Sequence, residues 1–177
     1  MMGDELMVKI LIVSDSHGWK TELANVINRH RDEVNYIIHC GDSELEGDAK
    51  QLKGVNVVRG NCDWGTDFPE DAMIQITDDI LLYATHGHHY NVKMTYAPLS
   101  YRAEEVGARL VCFGHSHVAT TFKENDVIYI NPGSLRLPRN RKEHTYCLCT
   151  IDKNSVDVTF YSIEGNIVEE LSTRYNM

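Results

Sequence analysis

The sequence predicts an α/β fold in which two sheets pack face to face with helices on the outside. Three observations predict it. Apolar runs of strand length recur along the chain and end at a glycine beside Asp, Asn or His. The first part alternates strand and helix patterns, as a βαβ unit does. The later part changes to paired strand patterns joined by polar turns, as hairpins do.

In chain order, Val8 to Ser14 is a mostly apolar run and is expected to be a buried strand. Trp19 to His30 carries Leu23, Val26 and Ile27 at helical spacing. A helix there leads into a second strand, Val34 to His39, and the crossover is expected to be right-handed. Ser43 to Lys53 is polar and charged, which suits a loop with a short helix, and Val55 to Val58 is a third strand. Asp63 to Asp71 holds Gly65 and Pro69 and suits a surface loop. Met73 to Thr77 and Ile80 to Thr85 flank Asp78-Asp79, a hairpin signal. Tyr96 to Val106 suits a helix with Pro98 in its first turn, and Arg109 to Phe113 a strand. Val118 to Lys123 and Val127 to Ile130 flank Glu124-Asn125-Asp126, and Thr145 to Asp152 and Ser155 to Ser162 flank Lys153-Asn154, giving two more hairpins. The polar tail from Glu164 to Met177 is expected to fray. Residues 1–177 are expected to form a single domain, with 1–7 as a disordered extension and Met7 a candidate natural start.

A length of 177 residues suits one hydrophobic core. No apolar run approaches the roughly 20 residues that cross a membrane, and the acidic N-terminus lacks the basic region of a signal peptide. The formal net charge of −9 disfavours broad nucleic-acid binding. It leaves room for a phosphate-bearing substrate, because bound cations invert the local field. Cys40, Cys62, Cys112, Cys147 and Cys149 form no C-x-x-C pair, and four of them lie in apolar strands. A reduced, cytoplasmic protein is expected.

The chemistry gathers where the strands end. Asp15-Ser16-His17-Gly18, Gly41-Asp42, Gly60-Asn61, His86-Gly87-His88 and Gly114-His115-Ser116-His117 each follow an apolar run. Open α/β sheets bind ligands outside such ends. Taken singly, Asp15 suits a helix cap and His17, His115 and His117 suit polar loops. Together, seven ligand-type residues at five strand ends share no structural reason. Asp15, His17, Asp42, Asn61, His86, His115 and His117 are therefore expected metal ligands. Asp42 can give one oxygen to each of two cations. A donor set of imidazole and oxygen without thiolate suits manganese, iron or zinc. Two metals about 3.5–4 Å apart clamp the attacking and leaving oxygens of a phosphoryl displacement. A water held between them can lose its proton near neutral pH, as zinc-bound water does with a pKa of about 7.

Other polar residues divide between function and structure. His39 is expected to be a satisfied buried histidine, and His30 and His144 to be solvated. His88, two residues beyond an expected ligand, is favoured over His89 as a substrate contact. Arg59 can reach a substrate phosphate or pair with Asp63. Arg136, Arg139 and Arg141 follow the turn Asn131-Pro132-Gly133-Ser134. They can bind a second phosphate or form a solvated loop.

The five motifs resemble, in order, those of the calcineurin-like metallophosphoesterases. The Cys-Gly-Asp and Gly-Asn-Cys-Asp wording and the Asn-Pro-Gly-Ser turn resemble the small bacterial and archaeal phosphodiesterase subfamily. The resemblance runs from Val8 to Pro138. It implies a four-layer αββα sandwich and a phosphodiesterase in which a water or hydroxide bridging two divalent metals attacks phosphorus. Asp15, His17, Asp42 and His117 would hold one metal, and Asp42, Asn61, His86 and His115 the other. Mn²⁺ is favoured, with iron, zinc or nickel as alternatives. Asp42, Asn61 and His88 would be catalytic, and Arg59, His88 and Arg136 would contact a small phosphoester substrate. Many members place His directly after the motif Asn, where this chain has Cys62, a poorer general acid. A phosphomonoesterase with the same metals is the nearer alternative. A catalytically idle interaction scaffold of the same fold is the other, and the retained ligands argue against it. Exposed hairpins leave a homo-oligomer open.

Overall fold

A computed structural model describes residues 7–177, so the expectation for 1–7 falls, apart from Met7, outside the described residues. The elements are β1 (Val8–Val13), α1 (Lys20–His30), β2 (Tyr36–His39), β3 (Asn56–Val57), β4 (Asp71–Thr77), β5 (Ile80–Thr85), α2 (Ala97–Val106), β6 (Leu110–Cys112), β7 (Thr120–Glu124), β8 (Val127–Asn131), β9 (Thr145–Ile151), β10 (Ser155–Ser162) and β11 (Thr173–Asn176). They form two mixed sheets, ordered β11-β10-β9-β1-β2-β3 and β4-β5-β6-β8-β7.

The two-residue period of a strand sorts side chains into layers. Along β1, Ile10 and Ile12 face the core shared by the two sheets, while Leu11 and Val13 face Leu23, Val26 and Ile27 of α1. In the second sheet, Leu82, Leu110, Cys112 and Ile130 face the shared core. Tyr83, Val111, Phe113 and Tyr129 face Leu99 and Ala103 of α2. The result is the αββα order. Pro98 stands in the first turn of α2, and Gly107, at φ 73°, ends it in the left-handed region. Asn125 and Asp126, at φ 51° and 62°, make the two-residue turn between β7 and β8.

Four expectations need correction. The third strand is two residues long, because Arg59 N–H leaves the ladder and donates to the Pro69 carbonyl at 2.7 Å. The tail is not frayed throughout: β11 pairs with β10, and Tyr175 packs on the shared core and reaches Thr121 Oγ1 at 3.0 Å. One apolar residue was enough for an edge strand, too weak a signal in a polar tail. His30 is buried against Tyr146 (Nε2 to Oη 2.7 Å), since it continues the 23, 26, 27 stripe of α1. His144 is half-buried, stacked on Trp19 at 5.4 Å, with Nδ1 bonded to the Leu135 carbonyl at 2.7 Å.

Candidate active site

The loops after β1, β2, β3, β5 and β6 meet at one end of the two sheets. Backbone bonds carry the β1–β2 pairing into the first two loops. Asp15 N–H donates to Gly41 O and His17 N–H to Asp42 O, each at 3.0 Å. Gly114 N–H ties the β6 loop to His86 O at 3.0 Å. Asp15, His17, Asp42, Glu44, His115 and His117 all have positive φ, between 40° and 69°. Left-handed backbone costs a non-glycine residue energy and persists where the surroundings hold it, often at functional sites. Here it occurs at alternate positions of three loops and helps turn Asp15, His17, Asp42 and His117 inward.

Two glycines let the loops approach. A Cβ at Gly60 would collide with Oδ1 and the backbone N of Asp42. One at Gly114 would collide with Ser14 Oγ and Asp15 Oδ2. The Asp63 carboxylate then clasps three backbone amides, Gly60 N at 2.7 Å and Asp42 N and Glu44 N at 2.9 Å. It does not serve Arg59, which lies 3.9 Å from Glu70.

Each central carboxylate has one oxygen engaged. Asp15 Oδ2 accepts from Ser14 Oγ at 2.5 Å and His115 N at 3.2 Å. Asp15 Oδ1 is buried and has no hydrogen-bond partner. Around it stand Nε2 of His117 at 3.2 Å, of His17 at 3.7 Å and of His86 at 3.8 Å. Asp42 Oδ1 accepts from Cys62 N at 2.7 Å, and Oδ2 lies 3.2 Å from His86 Nε2 and 4.0 Å from His17 Nε2. Asn61 Oδ1 is 3.1 Å from His86 Nε2.

The outer nitrogens of these rings are also engaged. Nδ1 of His86 meets the Cys40 carbonyl at 2.7 Å, that of His117 the Leu137 carbonyl at 2.8 Å, and that of His17 Glu44 Oε1 at 3.0 Å. All three partners are acceptors, so each neutral imidazole carries its proton on Nδ1 and points a lone pair inward. His17 Nε2 and His117 Nε2 are then 3.3 Å apart with lone pairs facing. Acceptors facing acceptors repel unless a positive charge lies between them. A proton answers part of this: the neighbouring Asp15 carboxylate pushes His17 up to about 9, against partial burial and with help from Glu44. Burial opposes charge on Asp15, yet His117 and His17 outweigh it and lower its pKa. Burial likewise opposes charge on His86, and Asp42 and Asp15 raise its pKa regardless. Oxygen and imidazole donors converging on a buried, unpartnered carboxylate oxygen are a fitting environment for a divalent cation.

Six of the seven expected ligands thus aim donor atoms at two adjoining points: Asp15 with His17 and His117, and Asp15 with Asp42 and His86, beside Asn61. His115 stands apart, its ring edge-on to His86 at 5.1 Å. Burial and His86 push it down to about 4. His88 is half-buried 5.3 Å from His86 and 6.0 Å from His115, ring to ring, with Nδ1 unpartnered. Burial and His89 lower its pKa. Burial and Asp42 push the Cys62 thiol up to about 11. Arg136 Nη1 donates to the His17 carbonyl at 2.5 Å, and Ser134 Oγ to the Asp15 carbonyl at 2.7 Å. His39 is buried, accepting from Gly41 N on Nδ1 at 3.1 Å and bonding Ser16 Oγ through Nε2 at 2.8 Å. Sequence reasoning missed Glu44 and Asp63 as parts of this site. Their only signal was closeness to Asp42 and Asn61.

The profile of the calcineurin-like phosphoesterase superfamily domain matches residues 8–154. The chain is 42% identical over 170 residues to the probable metallophosphoesterase YsnB of Bacillus subtilis, covering 96% of this chain and 100% of that one. It is 30% identical over 144 residues to the phosphodiesterase MJ0936 of Methanocaldococcus jannaschii, covering 71% and 83%. The crystal structure of a predicted phosphoesterase from Streptococcus pneumoniae superposes with a TM-score of 0.93 at 30% identity, covering 97% and 99%. The chain belongs to the calcineurin-like phosphoesterase superfamily, as a metal-dependent hydrolase of phosphoesters.

Proposed function

We propose that the chain is a phosphodiesterase that uses two divalent cations, Mn²⁺ in preference, in the cytoplasm. The supporting observation is the unpartnered Asp15 Oδ1 surrounded by the Nε2 atoms of His117, His17 and His86. Asp15, His17, Asp42 and His117 hold one cation. Asp42, Asn61, His86 and His115 would hold the other, although His115 stands apart from the converging donors. Asp42 belongs to both sets; its Oδ1 accepts from Cys62 N–H and its Oδ2 faces His86 Nε2 at 3.2 Å. Bound cations polarise the phosphoryl group and lower the pKa of water.

The chain's own groups do the rest. Glu44 and the Cys40 and Leu137 carbonyls fix the three imidazole tautomers. The apolar ends of the sheets keep water from the backs of the ligands. His88 is neutral near pH 7, since its pKa is lowered. It acts as a hydrogen-bond donor to a phosphoryl or leaving-group oxygen, and the raised Cys62 thiol contributes no acid. Arg136 acts through the His17 loop, and Arg59 is drawn toward Glu70.

Hydrolysis of bis(p-nitrophenyl) phosphate tests this reading. Activity is expected to vanish on chelation and to return with Mn²⁺. Persistent activity in metal-free protein, or turnover of p-nitrophenyl phosphate alone, contradicts it.

A further inference from the structure

The seven residues from Arg136 to Lys142 hold four cations and no acid, in a chain of formal net charge −9. This basic segment is fixed to the candidate site. Arg139 N–H donates to the His117 carbonyl at 3.0 Å. The Leu137 carbonyl meets His117 Nδ1 at 2.8 Å, and Leu137 N–H donates to Ser134 Oγ at 2.8 Å. Pro138 stiffens the backbone between these anchors. A merely solvated loop has no need of them.

The four cations are not equivalent. Arg136 is spent on the His17 carbonyl, with its guanidinium 5.8 Å from the Trp19 ring. Arg141 is spent on Glu143 at 3.3 Å and Glu170 at 3.5 Å. Arg139 and Lys142 are exposed, and neither makes an ion pair or a side-chain hydrogen bond among the described residues. Arg139 starts one backbone hydrogen bond from a candidate ligand, and a guanidinium fork matches a phosphate better than any other side chain. Next to His88 in the chain, His89 is held by Glu70 at 3.2 Å, and Glu70 lies 3.9 Å from Arg59. Beside His117 the segment therefore carries cations with no ion pair, and the Glu44 carboxylate there is engaged by His17; near His88 the charges are paired.

We propose that Arg139, with Lys142 three residues on in the same segment, forms a subsite for a second phosphate. The preferred substrate is then a phosphodiester carrying a further phosphate on the substituent that lies over the His17–His117 end. This rests on the phosphodiesterase reading above.

The test uses the full chain with Mn²⁺ and two probes that release the same nitrophenol from the same bond. They are thymidine 5′-(p-nitrophenyl phosphate) and the same compound with a 3′-phosphate. The 3′-phosphorylated probe is expected to have a KM about tenfold lower, as one charge-assisted contact warrants. Arg139→Gln is expected to bring the two KM values together, and Lys142→Gln to narrow the gap. Lys153→Gln, on the remote β9–β10 turn, keeps it. Equal KM values in the wild type, or a preference surviving Arg139→Gln, overturn the subsite while leaving the phosphodiesterase reading intact. Turnover of neither probe overturns the phosphodiesterase reading and the subsite with it.

Discussion

The Asp15 carboxylate has one satisfied oxygen and one buried oxygen that nothing in the chain satisfies. A buried carboxylate oxygen left so is expensive unless a cation serves it. The residues that aim its neighbours matter as much. Glu44 holds His17 Nδ1 at 3.0 Å from a left-handed backbone that Asp63 clasps. Glu44→Gln is expected to weaken cation binding about 10–100-fold while the protein stays folded, since outer partners of ligating histidines carry that much affinity. Competition with a chelator measures it, and unchanged affinity contradicts the positioning role. His39 gives a stability effect of known sign. Burial pushes it down to about 4, from about 6.5 in the unfolded chain. Between those values the unfolded chain binds the extra proton. Stability is fully present above about 6.5 and is lost as pH falls toward 4, at up to about 1.4 kcal/mol per unit. In chelator-treated protein, His39→Gln is expected to lose less Tm between pH 7 and pH 5 than the wild type. Parallel profiles contradict this. The positions of Asp15, His17, Asp42, His86 and His117 were legible in the sequence because each follows an apolar run. Glu44 and Asp63 were not, because only the fold brings a polar loop residue onto the back of a ligand.

At the scale of elements, the five strand-end loops are shaped by close approach. Gly114→Ala drives a methyl into Ser14 Oγ and Asp15 Oδ2. It is expected to lower kcat/KM by about 100-fold through misplacement, with the strands intact by circular dichroism. Wild-type activity in that variant contradicts the fit of the loops. The helix α1 covers the opposite interest, stability. Leu23 is fully buried against Leu11 and Val13. Leu23→Ala is expected to cost about 2–5 kcal/mol in urea unfolding, and a loss under 1 kcal/mol contradicts that packing. Hairpins with explicit turn residues, such as Asn125-Asp126, were legible. The β11 edge strand was not, because an edge strand needs one inward residue, Tyr175, and shows little periodicity. His30 shows the converse: its charge suggested solvent, but its place on the α1 stripe decided its burial.

Across the whole molecule, the two sheets form the frame and the loops at one end bring the candidate ligands together. The described residues include no helix long and apolar enough to cross a membrane. The five cysteines are free; Cys112, Cys147 and Cys149 in strands and Cys40 just past β2 are buried. The two-layer core explains why fold class was legible: alternation along β1 separates Ile10 and Ile12 from Leu11 and Val13. What the sequence left open was the handling of charge, because imidazole tautomers depend on carbonyls that only the folded chain supplies. The most direct measurement is the metal content of purified wild-type protein beside Asp42→Ala, by elemental analysis after incubation with Mn²⁺ and desalting. The expected result is about two divalent ions per wild-type chain and the loss of at least one in the variant. Wild-type protein that retains no metal, or a variant that retains as much as the wild type, contradicts the assignment of the strand-end cluster as a two-cation site.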